Sequence, residues 1–209
     1  MNLNYTVSNV FPITIHQISD TNFDQIKSEL IEYAYNLKEI ESITNGGSNV
    51  KGFQSKPFKI NNNDDILHNF INKSTANISS IGSSVEMNIW AWIHVNPPSA
   101  YHIKHMHPQS HLSGVLWIKT PKNCGKVVFE NPLSFQASKE IFAYTELYRK
   151  NTNTHLYYEY EPYEGGMLIF PSYLEHLVEP NESEEDRISV AFNIRLENKA
   201  TTNSLIKDT

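Results

Sequence analysis

The chain changes its hydrophobic period part-way along, and that change divides it. Val7 to Ile15 alternates loosely and reads as a first strand, with Pro12 suited to an edge position. Phe23, Ile26, Leu30, Ala34 and Leu37 then recur at helical spacing. They predict a helix over Thr21 to Glu39 with one apolar stripe, capped by Asp20 or Thr21. Asn45-Gly46-Gly47-Ser48 predicts a turn. Asn61-Asn62-Asn63-Asp64 offers a second helix start, and Ile66, Phe70 and Ile78 mark a weaker helix that frays near Ser79 to Ser84.

From Val85 the period becomes two. Val85, Met87, Ile89, Ala91 and Ile93 alternate with Glu86, Asn88, Trp90, Trp92 and His94. Large groups on both faces predict a strand buried on one side and lining something on the other. Pro97-Pro98-Ser99 ends it. Further strands are expected over His102 to His107, Leu112 to Lys119, Lys126 to Glu130, His155 to Glu161, Met167 to Phe170, Leu174 to Val178 and Arg187 to Leu196. Ala137 to Lys150 fits a helical or a loop insertion. Short strands between Pro and Gly turns indicate a sandwich or barrel. The expectation is a jelly roll of about eight core strands. That makes an all-β core in a chain that is α+β overall, with the N-terminal helices buttressing one sheet. One domain is expected over residues 1–197, helical at about 20–82 and jelly roll at about 85–197, before a polar tail at 198–209 that frays.

Composition narrows the function classes. The 209 residues carry a net charge of -6, against the basic balance that phosphate neutralisation needs, so no nucleic-acid partner is expected. No run of about 18 apolar residues is present, and the first residues lack the basic and apolar regions of a signal peptide. The one cysteine, Cys124, sits in a turn and excludes an intrachain disulfide, which suits a cytoplasmic setting. No membrane partner is expected, and a homodimer is compatible with the sequence.

The candidate chemistry is carried by histidines. Nine are present, and five fall between His94 and His111. On an extended segment His105 and His107 point to one face, which is a metal half-site; the plainer reading is two surface histidines on a polar loop. His176, just past a later apolar strand, is the best third nitrogen. His94, His102 and His111 are weaker candidates, as supporting donors, substrate contacts or solvent-facing residues. Imidazole alone does not fix the metal, and open Fe(II) sites usually pair two histidines with a carboxylate. Here the residue two after His105 is His107, and Glu130, Glu175 and Glu179 lack that spacing. Arg187, one of three arginines, offers a planar fork that grips both oxygens of a carboxylate, with Ser189 on the same strand face. The plainer reading of Arg187 is a surface partner of Glu184, Glu185 or Asp186.

These stretches together resemble a known family. His105-Met106-His107-Pro108, Leu112-Ser113-Gly114-Val115, Phe170-Pro171-Ser172-Tyr173-Leu174-Glu175-His176 and Arg187-Ile188-Ser189-Val190-Ala191-Phe192-Asn193-Ile194 are similar, in kind and order, to the 2-oxoglutarate/Fe(II)-dependent oxygenases of bacteria and phages, a branch near the prolyl hydroxylase-like enzymes. The resemblance spans about residues 10 to 195. It implies a double-stranded β-helix, Fe(II) on His105, His107 and His176, and 2-oxoglutarate with its distal carboxylate on Arg187 and Ser189. Ser113 and Asn193, within the matching stretches, are expected at the co-substrate as well. The wider superfamily commonly has His-x-Asp where this chain has His-Met-His, which leaves His107 open between metal ligand and supporting group.

The implied activity is hydroxylation of a small-molecule or peptidyl substrate, with 2-oxoglutarate converted to succinate and CO2. The alternatives are a three-histidine cupin-type dioxygenase that needs no 2-oxoglutarate, a small-molecule-binding jelly roll without turnover, and a structural interaction protein. Trp90, Trp92 and Trp117 are candidates for the pocket wall or for plain core packing. Tyr157, Tyr158 and Tyr160 flank an entrance or only cover a sheet, and Leu133 to Thr154 is a candidate lid.

Overall fold

The computed structural model describes residues 6, 11–41, 47–61, 65–76, 78, 85–152 and 154–198. The first helix, α1 (Asp24–Ile40), buries Leu30 and Ala34, while Ile26 and Leu37 pack against the same core. It begins later than the sequence suggests. Asp20 uses its side chain on the Asn22 N–H at 2.8 Å, inside the turn that precedes the helix. A second helix, α2 (Ile66–Ala76), is capped by Asp65, whose carboxylate accepts the N–H groups of Leu67 and His68. Asn62-Asn63-Asp64 of the expected helix start and the fraying at 79–84 lie outside the described residues, as do residues 45–46 of the turn at 45–48 and the tail beyond Asn198.

Among the described residues, twelve strands form two sheets. They are β1 (His16–Ser19), β2 (Asn49–Val50), β3 (Phe53–Gln54), β4 (Phe58–Lys59), β5 (Val85–Asn96), β6 (Tyr101–His105), β7 (Leu112–Lys119), β8 (Val127–Glu130), β9 (Tyr157–Tyr160), β10 (Gly166–Pro171), β11 (His176–Val178) and β12 (Arg187–Asn198). Two short helices, α3 (Ser134–Ile141) and α4 (Glu146–Thr152), separate β8 from β9. The large sheet runs β1-β10-β7-β12-β5-β3, with β4 also on β5; the small sheet runs β2-β6-β11-β8-β9. From β5 onward the chain supplies four strands to each sheet, all antiparallel to their neighbours. This is the double-stranded β-helix.

Alternation along the strands sorts the residues. Ile89, Ala91, Ile93 and Val95 of β5, Leu116 and Ile118 of β7, and Ile188, Val190, Phe192 and Ile194 of β12 share one apolar core with α1 and α2. The helices therefore buttress the outer face of the large sheet. Between the sheets, a second cluster is built from Trp117, Val127, Phe129, Tyr160, Leu168, Phe170 and Leu174. It fills part of the barrel and leaves the rest as a pocket.

Three expectations need correction. The alternating run before Ile15 does not continue as a strand: residues 12–15 carry no regular structure, 7–10 lie outside the described residues, and the edge strand is β1 beside β10. The strand expected over His102 to His107 stops at His105. The segment after Ser48, included without distinction in the helical part at about 20–82, supplies three two-residue strands that pair with β5 and β6. Strands this short carry no alternation, so periodicity cannot detect them.

Candidate metal centre

His105 and His176 are direct cross-strand partners on β6 and β11, with ring centroids 4.3 Å apart. His107 lies just beyond the end of β6. Its N–H donates to the Ser172 carbonyl at 2.9 Å, and this folds the chain back so that its ring sits 5.0 Å from that of His105 and 5.4 Å from that of His176. The three residues can each offer a ring nitrogen within 4.8 Å of the other two. The two rings come together, but His107 lies past the end of the strand, so the hydrogen bond to Ser172 and not strand alternation positions the second one.

Two of the rings have their tautomer set by the backbone. His105 Nδ1 is 2.7 Å from the Ile103 carbonyl, and His176 Nδ1 is 2.9 Å from the Leu174 carbonyl. A carbonyl can only accept, so each Nδ1 carries the proton and each Nε2 presents a lone pair. Burial is the main cause that keeps the rings neutral. It draws His176 down to about 3 and His107 to about 4, and it lowers His105 as well. A neutral ring has no proton to surrender when it binds a metal.

The triad opens on a pocket of about 390 Å³ whose wall also holds the buried Arg187, Ser189, His94 and His102. Arg187 is 2 % exposed, so it is not the surface ion-pair residue of the plainer reading. Its Nη1 donates to the carbonyls of Cys124 and Glu179, while Nη2 is buried without a partner. Desolvation draws the guanidinium down to about 10, which still leaves it charged at neutral pH. Among the described residues, no aspartate or glutamate lines the pocket. A buried cation with a spare donor and no acid beside it fits an anionic ligand.

Several candidates settle into other roles. Glu130 and Glu175 pair with Lys104, and Glu179 accepts the N–H of Lys126, so none of the three carboxylates faces the triad. Trp92 and Trp117 line the pocket, whereas Trp90 is 45 % exposed. Tyr160 stacks on Trp117 in the core, with Tyr157 and Tyr158 exposed, and none of the three lines the pocket. Nor does any described residue of 133–154. Ser113 does line it. Asn193, expected at the co-substrate, does not; its amide lies between Ser113 and His107. His111 accepts the Leu196 N–H outside the pocket.

Sequence reading missed Ser48 and Gln54. Ser48 Oγ lies 3.3 Å from His105 Nε2 and 3.4 Å from His102 Nδ1, and Gln54 pairs with His94 at 3.0 Å. The strands that carry Gln54 and flank Ser48 have no sequence signal. His102 reaches the same cavity as His105 because of an irregularity in the β6–β11 register, which sets three steps on β6 against two on β11.

The architecture and its donors define an open-sited, metal-dependent member of the double-stranded β-helix proteins. Residues 90–193 match the family described as "Putative 2OG-Fe(II) oxygenase", and the chain belongs to the 2OG-Fe(II) oxygenases. In structure it is similar to a prolyl-4-hydroxylase of Pseudomonas putida, with a TM-score of 0.60 and 14% identity over 88% of this chain and 92% of that one. It is also similar to the non-heme alpha ketoglutarate dependent carbocyclase SnoK of nogalamycin biosynthesis, at a TM-score of 0.58 and 12% identity over 87% of this chain and 80% of that one. The epimerase SnoN of the same biosynthesis gives 0.58 and 12% over 88% and 76%. No curated protein matches by sequence. At these identities the structural likeness shows the fold.

The family's cofactors are Fe(II) and 2-oxoglutarate. The residues fit both. Three neutral imidazoles form a donor set that Fe(II) accepts, and the unpartnered Nη2 of Arg187 is a donor awaiting an anion. Among the described residues no helix is long and apolar enough to cross a membrane.

Proposed function

We propose that this oxygenase hydroxylates a C–H bond of a small-molecule or peptidyl substrate, with His105, His107 and His176 holding the iron and with Arg187 and Ser189 holding the distal carboxylate of 2-oxoglutarate. When bound, Fe(II) and 2-oxoglutarate supply the oxidising chemistry: O2 is consumed, 2-oxoglutarate becomes succinate and CO2, and one oxygen atom enters the substrate. The observation that carries the reading is the shared cavity. One pocket is lined by all three imidazoles and by a buried, partly unpaired guanidinium.

The chain's own residues bind, orient and dry the site. His105 and His176 aim Nε2 because the Ile103 and Leu174 carbonyls hold Nδ1–H. Those two anchors are short and local, so the rings are set before any ligand arrives. Arg187 is fixed at Nη1 by the Cys124 and Glu179 carbonyls, so Nη2 is aimed without further loss of side-chain freedom. Ser189, on the same face and 6 % exposed, adds a hydroxyl donor. Trp92, Trp117 and Phe170 wall the cavity with rings that exclude water and strengthen the charge contacts inside it. Ile103 and Met106 line it while remaining about half exposed, an apolar rim suited to contact with substrate.

The test is an anaerobic titration with Fe(II) and then 2-oxoglutarate, followed by the metal-to-ligand charge-transfer absorption. The wild-type chain should develop the band. Arg187→Ala should need about 10- to 100-fold more 2-oxoglutarate, the range for a charge-assisted hydrogen bond, while binding Fe(II) normally. Equal loss of metal and co-substrate in a folded variant would overturn the arginine's role. A wild-type chain that binds Fe(II) but never 2-oxoglutarate would overturn the site assignment.

A further inference from the structure

Behind His107 runs a row of polar side chains that co-substrate binding does not use. Ser172 Oγ is 2.8 Å from Ser113 Oγ, Ser113 Oγ is 2.7 Å from Asn193 Oδ1, and Asn193 Nδ2 is 3.4 Å from His107 Nδ1. Both serines are buried. Ser113 and Asn193 are cross-strand partners on β7 and β12, and Ser172 follows β10, so the row crosses the large sheet sideways. Its far end returns to the same loop, because the Ser172 carbonyl accepts the His107 N–H at 2.9 Å and the Ser172 N–H donates to the His111 carbonyl at 3.1 Å.

A hydroxyl and a primary amide each both donate and accept, so this row can be polarised in two directions. In one, Ser172 donates to Ser113, Ser113 donates to Asn193 Oδ1, and the Asn193 N–H donates to His107 Nδ1. A neutral His107 then carries its proton on Nε2 and has no lone pair there. In the other, the amide is turned over. His107 Nδ1–H donates to Asn193 Oδ1, the Asn193 N–H donates to Ser113, and Ser113 donates to Ser172. Nε2 then carries the lone pair. The amide's nitrogen and oxygen simply exchange positions, so no other side chain has to move. His105 and His176 have no such freedom, since each Nδ1 faces a carbonyl.

We infer that Ser172, Ser113 and Asn193 are positioning residues that set the tautomer of His107 and so switch its Nε2 into or out of the ligand set. The inference rests on the triad reading above. It assigns Asn193 and Ser113 to the third imidazole rather than to the co-substrate, and it makes His107 the one ligand whose readiness depends on side chains. An acceptor behind a metal-binding histidine commonly changes metal affinity 10- to 100-fold.

Co(II) is the probe, read by its ligand-field absorption in the full-length chain. Asn193→Ala should weaken Co(II) binding by about 10- to 100-fold. Asn193→Asp offers only acceptors and enforces the productive polarity, so it should bind Co(II) at least as tightly as wild type. Nitrogen NMR of the metal-free Asp variant should show His107 protonated at Nδ1. Thermal melts establish that each variant is folded. Two results would overturn the inference: an Asn193→Ala chain that binds Co(II) as wild type does, or a folded Asp variant as weak as the Ala variant. His107→Ala separates this failure from failure of the triad. If it binds Co(II) normally, the triad assignment is wrong; if it binds weakly while Asn193→Ala is unaffected, only the row is wrong.

Discussion

The two faces of β12 lie one residue apart and follow opposite rules. Ile188, Val190, Phe192 and Ile194 face the helices in a core of apolar side chains. Arg187, Ser189 and Asn193 face inward among histidines and hydroxyls, and Arg187 leaves one nitrogen buried without a partner. Burying an unsatisfied donor costs on the order of 1–3 kcal/mol, and more where the group is charged. The outer face carries no such cost. The strand therefore spends stability on one side and recovers it on the other, and β5 and β7 repeat the division with His94 against Ile93 and Ser113 against Leu112.

Acid should break that balance most severely. His94 and His176 are drawn down to about 3 and His102 lies well below its ordinary value; burial is the leading cause for each, and for His94 and His102 the Arg187 charge adds to it. In the unfolded chain these rings protonate near pH 6.5. Their depressed folded values mean that the unfolded state takes up protons first. Stability is whole above about 6.5 and falls as the pH drops towards about 3. Each ring contributes a slope of up to about 1.4 kcal/mol per pH unit. Over two units the three together approach the whole stability of an ordinary domain. Urea midpoints of the metal-free chain should therefore decline steeply between pH 6.5 and 5, above the carboxylate range. A flat profile there would show that the inner face is wetter than described.

Truncation of the outer face comes next. Phe192 is buried at 1 % exposure against the helical layer. Phe192→Ala should cost about 3–5 kcal/mol in denaturant unfolding. The ring packs in the helix-side core while Phe192 also borders the pocket, so the fraction that stays folded should keep its 2-oxoglutarate affinity within a few-fold as long as Arg187 and Ser189 stay in place. A large change in co-substrate affinity at unchanged stability would erase the division between the faces.

The same division decides what the sequence could show. The outer face was legible because its apolar residues recur at period two over eight or more positions, as in Leu112–Lys119, a strand predicted to the residue. His105, His107, His176 and Arg187 were legible as residue types with strong chemical preferences at suggestive spacings. Ser48, Gln54, His94 and His102 were missed or ranked low for a physical reason. Gln54 lies on a two-residue strand, and His102 faces the cavity through a register irregularity. Both depend on pairing with a distant strand, and no local period records that. Asn193 failed differently. Its place on the inner face was readable from Arg187 and Ser189, but its partner lies on a loop 86 residues away.

The smallest effect tests how tightly the outer face is packed. Gly114 of β7 stands opposite Phe192 of β12, and the ring lies over the glycine where a side chain would begin. An aromatic covering a cross-strand glycine is a known way of pinning register. A methyl group there would overlap the ring, so Gly114→Ala should destabilise by about 1–3 kcal/mol through overpacking. If the ring alone is the obstacle, shortening it should relieve the clash. The Gly114→Ala cost should then shrink in a Phe192→Leu background, giving a coupling of about 0.5–3 kcal/mol in a double-mutant cycle. Strict additivity would mean that the alanine is resisted by the neighbouring backbone, and that the register is held by the strands rather than by the ring.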